Sequence, residues 1–231
     1  VSSFAGPANC QLADTGERQL EEGRSALEEG TLESAGKSFE SCTQQASAAQ
    51  TSTAARCFYD LGRADFYLSR AKDFKKDKKG AERWLDLAIR ETKRAVELDD
   101  HNANAHALLA DLYGTKIGYG GALTAMRLGS KADAETKRAF QLDPKNAFAY
   151  AVTGRRQLYA PKMFGGDLDQ AVESFRKATL LDPRNDEAFV WLAIAYRKKG
   201  DSVGCRAALG EALRLNSRSA FAKRIQSGAP D

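Results

Sequence analysis

The residues with most chemistry to offer in this chain are two histidines, four cysteines and two glycine-rich segments. His101 and His106 stand five positions apart, whereas two imidazoles that share a metal on one helical face stand four apart. The cysteines, Cys10, Cys42, Cys57 and Cys205, match no zinc-ligand spacing. Acidic residues are plentiful but alternate with basic ones, the pattern of solvated helical faces. No Gly-x-Ser-x-Gly elbow, Walker loop or dinucleotide fingerprint occurs. The expectation is a non-enzymatic protein without cofactor or metal.

The glycine-rich segments are less easily set aside. One reads Gly114-Thr115-Lys116-Ile117-Gly118-Tyr119-Gly120-Gly121 and leads into a further stretch to Ser130. The other reads Ala160-Pro161-Lys162-Met163-Phe164-Gly165-Gly166-Asp167. Each carries a lysine, an aliphatic residue, then aromatic-Gly-Gly. One reading is a widened helical turn whose aromatic plugs a gap. The other is a pair of loops framing a binding mouth.

The elements that hold these segments are written in a phrase that recurs four times. It runs Arg94-Ala95-Val96-Glu97-Leu98-Asp99, Arg138-Ala139-Phe140-Gln141-Leu142-Asp143, Lys177-Ala178-Thr179-Leu180-Leu181-Asp182 and Glu211-Ala212-Leu213-Arg214-Leu215-Asn216. Its leucines are 44, 39 and 34 residues apart. Seven residues before each small residue of the phrase stands another, as Ala88, Ala132, Ala171 and Cys205. Seven residues is about two helical turns, so each pair shares a face and allows close helix approach. Thr92, Thr136, Phe175 and Leu209 fill the space between. Ala35, Phe39 and Cys42 repeat the spacing near the N-terminus. Pro144 and Pro183 end the preceding helices, and Asn146 and Asn185 are placed to cap the following ones.

This pattern resembles the tetratricopeptide repeat, a helix-turn-helix unit of 34 residues. The partner helices fit its aromatic-x-x-Leu-small signature at Phe58-Leu61-Gly62, His106-Leu109-Ala110, Tyr150-Thr153-Gly154 and Phe189-Leu192-Ala193. Gly23 fits in the first unit, where Gln19 and Glu22 depart from the pattern, as suits a terminal repeat. The resemblance implies an all-α, right-handed α-solenoid of about five hairpins with a C-terminal capping helix, eleven helices and no strands. Residues 1–11 are expected to be a flexible segment, and 12–217 the five repeats with inserts near 72–80, 114–130 and 160–166. Residues 218–231 are expected to form the capping helix and tail. The glycine-rich turns are similar to those of exported bacterial repeat proteins, including the component associated with tripartite ATP-independent periplasmic transporters.

The register assigns roles. His106 fills an aromatic slot, and Cys42 and Cys205 fill small core slots. Cys42 and Cys57 also lie at mirrored distances from a turn near residues 49 and 50, which would pair them in an oxidising compartment. Cys10 is the rival partner for either. In the family the first helix of each hairpin lines a concave groove. Carried over, that groove comprises Arg24 and Leu27; Tyr59, Arg63, Phe66 and Tyr67; Asn104, Asp111 and Thr115; Phe148, Arg155 and Tyr159; Glu187, Val190, Ile194 and Arg197. Arginine forks suit carboxylates and aromatics add apolar area, so a ligand with an acidic group and an apolar body fits. The Lys and Asn clamp for chaperone tails is absent, its positions being Leu20, Arg24, Tyr59 and Arg63. The expected partner is a protein or peptide; the alternative is a small acidic ligand of a transport-associated binding protein.

Composition narrows the classes further. The 231 residues carry a formal net charge of +4 with 29% charged residues, a modest excess. The densest basic run, Lys72 to Lys79, reads as a solvated helix end, and no nucleic-acid partner is expected. No apolar stretch is long enough to span a membrane. The small, polar start from Val1 to Asn9 fits either a cleaved export signal or a trimmed chain; on the first reading a periplasmic or secreted location is expected, with the cytoplasm as the alternative.

Overall fold

A computed structural model describes Glu22, residues 31–45 and residues 51–228. Among them are nine α-helices, one short 3₁₀ turn and no strand. The helices are α1 (Leu32–Gln45), α2 (Thr51–Phe74), α3 (Lys78–Leu98), α4 (Ala103–Leu142), α5 (Ala147–Tyr159), α6 (Leu168–Leu181), α7 (Asp186–Lys199), α8 (Ser202–Leu215) and α9 (Ala220–Gln226). The 3₁₀ turn is Lys162–Phe164. The first expected helix, with Arg24 and Leu27, lies outside the described residues, as do Cys10 and the turn near residue 49. The chain divides into two compact units, Val1–Glu135 and Thr136–Asp231, with the boundary inside α4.

Each copy of the recurring phrase builds the same joint. The backbone N–H groups of Asp99, Asp143, Asp182 and Asn216 donate to the carbonyls of Ala95, Ala139, Ala178 and Ala212, each at 2.9 Å. Their side chains then accept from backbone N–H groups two residues on, at 3.0 Å for His101, 2.9 Å for Lys145, 3.3 Å for Arg184 and 3.1 Å for Arg218. One residue further, Asn102, Asn146, Asn185 and Ser219 cap the next helix by accepting from Ala105, Ala149, Ala188 and Ala222. Side-chain oxygens satisfy helix-end donors that would otherwise be orphaned. The same short polar residues disfavour helix continuation, which is why the helices stop there.

The small residues of the repeat are the helix contacts. Ala35, Cys42, Ala88, Ala95, Ala139, Ala171, Ala178 and Ala212 are all buried. In unit 1, Phe39 packs with Cys57, Leu61 and Ala64 between α1 and α2. Cys42 and Cys57 are disulfide-bonded across that hairpin, with Cα atoms 5.7 Å apart. In unit 2, Phe175, Val190, Ile194, Leu209 and Ile225 form the core of α6 to α9.

The inserts depart from the expected loops. The third hairpin has no loop at residues 114–130. α4 runs through it as two helical arms that meet at Gly121, whose φ of 67° and ψ of −154° are open to glycine alone. The ten extra residues lengthen the arms by whole turns. Residues 72–80 form the ends of α2 and α3 around a tight turn at 75–77. The insert at 160–166 is a turn, closed by bonds from Gly165 N–H to the Lys162 carbonyl and from Gly166 N–H to the Pro161 carbonyl.

Candidate functional site

The inner-helix face of unit 2 concentrates aromatic and cationic side chains. It is supplied by α5, α7 and α9, the first helices of successive hairpins. Phe148, Arg155 and Tyr159 recur on one face of α5 at helical spacing. The Arg155 guanidinium lies 5.9 Å from the Phe148 ring centroid and 5.2 Å from that of Trp191 on α7. Trp191 in turn meets Tyr159 edge-on at 6.3 Å and Phe221 of α9 at 5.2 Å. Its indole Nε1 donates to Glu187 Oε1 at 3.1 Å. The Lys198 ammonium lies 5.0 Å from the Tyr159 ring centroid. Tyr159 is half-exposed, and Arg155, Trp191 and Arg197 are partly buried. A cation held over aromatic faces keeps its charge while its contacts stay apolar, a combination worth about 0.5–2 kcal/mol per pair.

Trp191, Lys198 and Phe221 are not among the groove residues expected from sequence. Val190 and Ile194, which are, prove to be fully buried. The reason is α9, whose Ala222 and Ile225 pack into the same core as Val190 and Ile194. The presented face of α7 therefore keeps the expected Glu187 but carries Trp191 and Lys198 where Val190 and Ile194 were expected. The spacing of four and seven residues among Glu187, Trp191 and Lys198 was the signal available.

In unit 1, α2 presents Tyr59, Arg63, Phe66 and Tyr67, all partly buried. The Arg63 guanidinium lies 5.6 Å from the Tyr59 ring, and its Nη1 donates to Asp60 Oδ1 at 3.0 Å. Burial alone would lower the Arg63 pKa, but Tyr59, Tyr67 and Asp60 raise it, fixing the side chain as a cation. Asp111 corrects the expectation: it is only 5% exposed and does not present its carboxylate at the surface. One turn further along, the Thr115 hydroxyl donates to the Asp111 carbonyl at 3.0 Å.

The aromatic-Gly-Gly segments behave differently from one another. Tyr119 is partly buried, bonding to Asp73 and lying 5.9 Å beneath the Lys78 ammonium. Burial first, then Asp73 and Glu82, raise its pKa and keep the phenol neutral. Phe164 plugs nothing. It is 58% exposed beside Met163 at 82%, while Lys162, Gly165 and Gly166 form the surrounding turn. His106 is buried, with Nδ1 2.6 Å from Glu135 Oε2 and Nε2 3.1 Å from the Asp100 carbonyl, so it ties the two arms of α4 together. Cys205 is a free thiol, partly buried in the unit 2 core.

Among the described residues no group of three or more His, Cys, Asp or Glu could hold a metal ion. No helix among them is long and apolar enough to cross a membrane. A cleft of 440 Å³ opens in unit 2 beside α6 and α7. Its polar groups are already engaged: Arg176 Nε donates to the Tyr196 hydroxyl at 2.8 Å, Ser174 donates to Gln157 at 2.7 Å, and Lys199 pairs with Asp169.

Residues 163–185 match the sequence profile of the tetratricopeptide repeat. The chain is similar in structure to TTC0263, a thermophilic tetratricopeptide-repeat protein of Thermus thermophilus. That match has a TM-score of 0.70 at 18% identity and covers 92% of this chain and 97% of the other. It is also similar to a chain of the anaphase-promoting-complex hetero-tetramer Cut9–Hcn1, with a TM-score of 0.60 at 14% identity, covering 93% of this chain and 38% of that one. No curated protein matches in sequence. The fold is that of the tetratricopeptide repeat, as the recurring phrase implied.

Proposed function

We propose that this chain, a tetratricopeptide-repeat protein by fold, is a non-catalytic scaffold that binds a protein or peptide segment on its inner-helix faces. The observation that carries the reading is Arg155, held between Phe148 and Trp191 on the face of α5 and α7. Aromatic residues and arginine are the side chains that dominate binding energy at interfaces. A segment with a carboxylate beside an apolar side chain fits them, the carboxylate toward Arg155 and the apolar group against Trp191 and Tyr159. In unit 1, Arg63 over Tyr59 offers the same pairing in miniature. The Cys42–Cys57 disulfide supports an oxidising compartment, and hence an exported protein.

Peptide-display selection against the intact protein tests this. Enriched peptides should carry an acidic residue next to an apolar one. An Arg155→Ala, Trp191→Ala variant that retains the wild-type Tm should lose them. Equal enrichment on both proteins would remove the support for this face. A transport-associated small-ligand role is the second reading, favoured by one observation: a cleft in unit 1 between α3 and α4 lined by Lys93, Lys116, Arg127 and Lys131.

A further inference from the structure

The third hairpin's extra helical turns build a cleft of 310 Å³ within unit 1. Three segments wall it: α3, the arm of α4 before Gly121 and the arm after it. Ile89, Tyr113 and Leu128 form an apolar floor, packed in one cluster with Leu109 and Ala132. Around that floor stand four cations, Lys93, Lys116, Arg127 and Lys131, and a single carboxylate, Asp86.

The carboxylate is already committed. Lys116 Nζ sits 2.7 Å from Asp86 Oδ1 and is itself mostly buried. Lys93 lies over the Tyr113 ring at 5.9 Å and makes no ion pair among the described residues. Arg127 and Lys131 make no ion pair or hydrogen bond among the described residues. These two are four residues apart on one helix, a like-charge spacing that destabilises a helix on its own. Three cations that make no ion pair among the described residues therefore converge on one concave, apolar-floored space. Low-dielectric walls focus their field and concentrate anions from solution. The volume is at the lower end of small-ligand sites, which run from about 300 Å³. Lys93 and Lys131 are point charges and Arg127 a five-donor fork, a set that suits the several oxygens of a phosphate more than the two of a planar carboxylate.

We propose that this cleft binds a phosphate-bearing anion, a pyrophosphate or phosphomonoester group held by Lys93, Arg127 and Lys131, with any organic body lying on Ile89 and Leu128. The site stands on unit 1 geometry alone and does not depend on the peptide reading of the inner-helix faces. The phosphate can come from a soluble metabolite or from a lipid headgroup, and the experiment separates the two.

Calorimetric titration of sodium pyrophosphate into the full chain at low salt should show saturable binding. An Arg127→Gln, Lys131→Gln variant should weaken it by about tenfold or more. A control with the same charge loss elsewhere in unit 1, Lys79→Gln with Arg83→Gln, should bind as wild type. In a parallel arm, co-sedimentation is measured with phosphatidylcholine vesicles with and without phosphatidic acid. Pyrophosphate binding lost only in the cleft variant assigns a soluble ligand. Vesicle binding that needs phosphatidic acid and is lost only in the cleft variant assigns a lipid headgroup. No binding in either arm, or equal losses in the cleft and control variants, would overturn the proposal. Circular dichroism melting of all three proteins excludes unfolding as the cause of any loss.

Discussion

The Cβ that Gly154 lacks would lie 2.8 Å from Cε1 of Phe175, whose ring is fully buried in the unit 2 core. α5 and α6 approach as closely as they do because nothing stands between glycine backbone and phenylalanine ring. Gly154→Ala should therefore strain the core rather than fill it, costing about 1–3 kcal/mol in urea denaturation. Phe175→Leu in the Gly154→Ala background should recover part of the loss, since it removes the clashing edge. Full stability in Gly154→Ala alone would contradict the close crossing.

The Cys42–Cys57 bond closes a separation of 15 residues. A loop of about that size is worth about 3 kcal/mol in lost chain entropy of the unfolded state. Reductant, or Cys42→Ser with Cys57→Ser, should lower stability by about this amount, and intact-mass analysis with and without reductant should show the bond. Identical melting with and without reductant would count against it.

His106 carries a pH signature. Burial alone would lower its pKa, but the bond to Glu135, the Asp100 carbonyl, and the charges of Glu135 and Asp100 raise it above the ordinary 6.5. The folded state thus keeps the proton to higher pH than the unfolded chain. The stability gained is complete below about pH 6.5 and is lost as pH rises through the folded value. NMR titration should find the His106 imidazole changing above that pH, and His106→Gln should flatten the stability profile there.

Asp65, on α2, behaves as a second and oppositely motivated case. Burial first, then Glu91 and Glu40 against the opposing Arg90, push its pKa up to about 7 from 3.8. Between those values the folded state holds a proton that the unfolded chain has released, so stability falls as pH rises from about 4 to about 7. Asp65→Asn should abolish that fall and raise the urea midpoint at pH 8. An unchanged profile would mean that the Asp65 carboxyl is already ionised in the folded protein.

Much of the fold was legible because its information is local. Leu-Asp-Pro followed by Asn spells a helix end, a turn and a cap within one short stretch, and Asn146 and Asn185 cap as their positions implied. His106 was legible for the same reason, since a slot in a repeated register states what surrounds it. The surface was less so. Whether Ile194 faces solvent depends on α9, which lies beyond the repeat that contains Ile194. Asp111 matches the position of Arg63 and Arg155 but is buried in unit 1. A periodic pattern also cannot say whether ten extra residues form a loop or more helix. In α4 they form helix, interrupted at Gly121.

The joints after Asp99, Asp143, Asp182 and Asn216 have a consequence for how such a chain changes length. Every backbone bond that closes a joint runs between near neighbours, from the alanine before the turn to the cap after it. Cutting at one joint and resuming at the equivalent point of the next would leave the same turn in place, with the same donors and acceptors. The chain can therefore be shortened or extended in whole-hairpin steps without redesigning a junction. Excising Asn146 to Arg184, so that Asn185 follows Lys145, amounts to such a step, and it makes the turns the units of exchange and the helices their cargo.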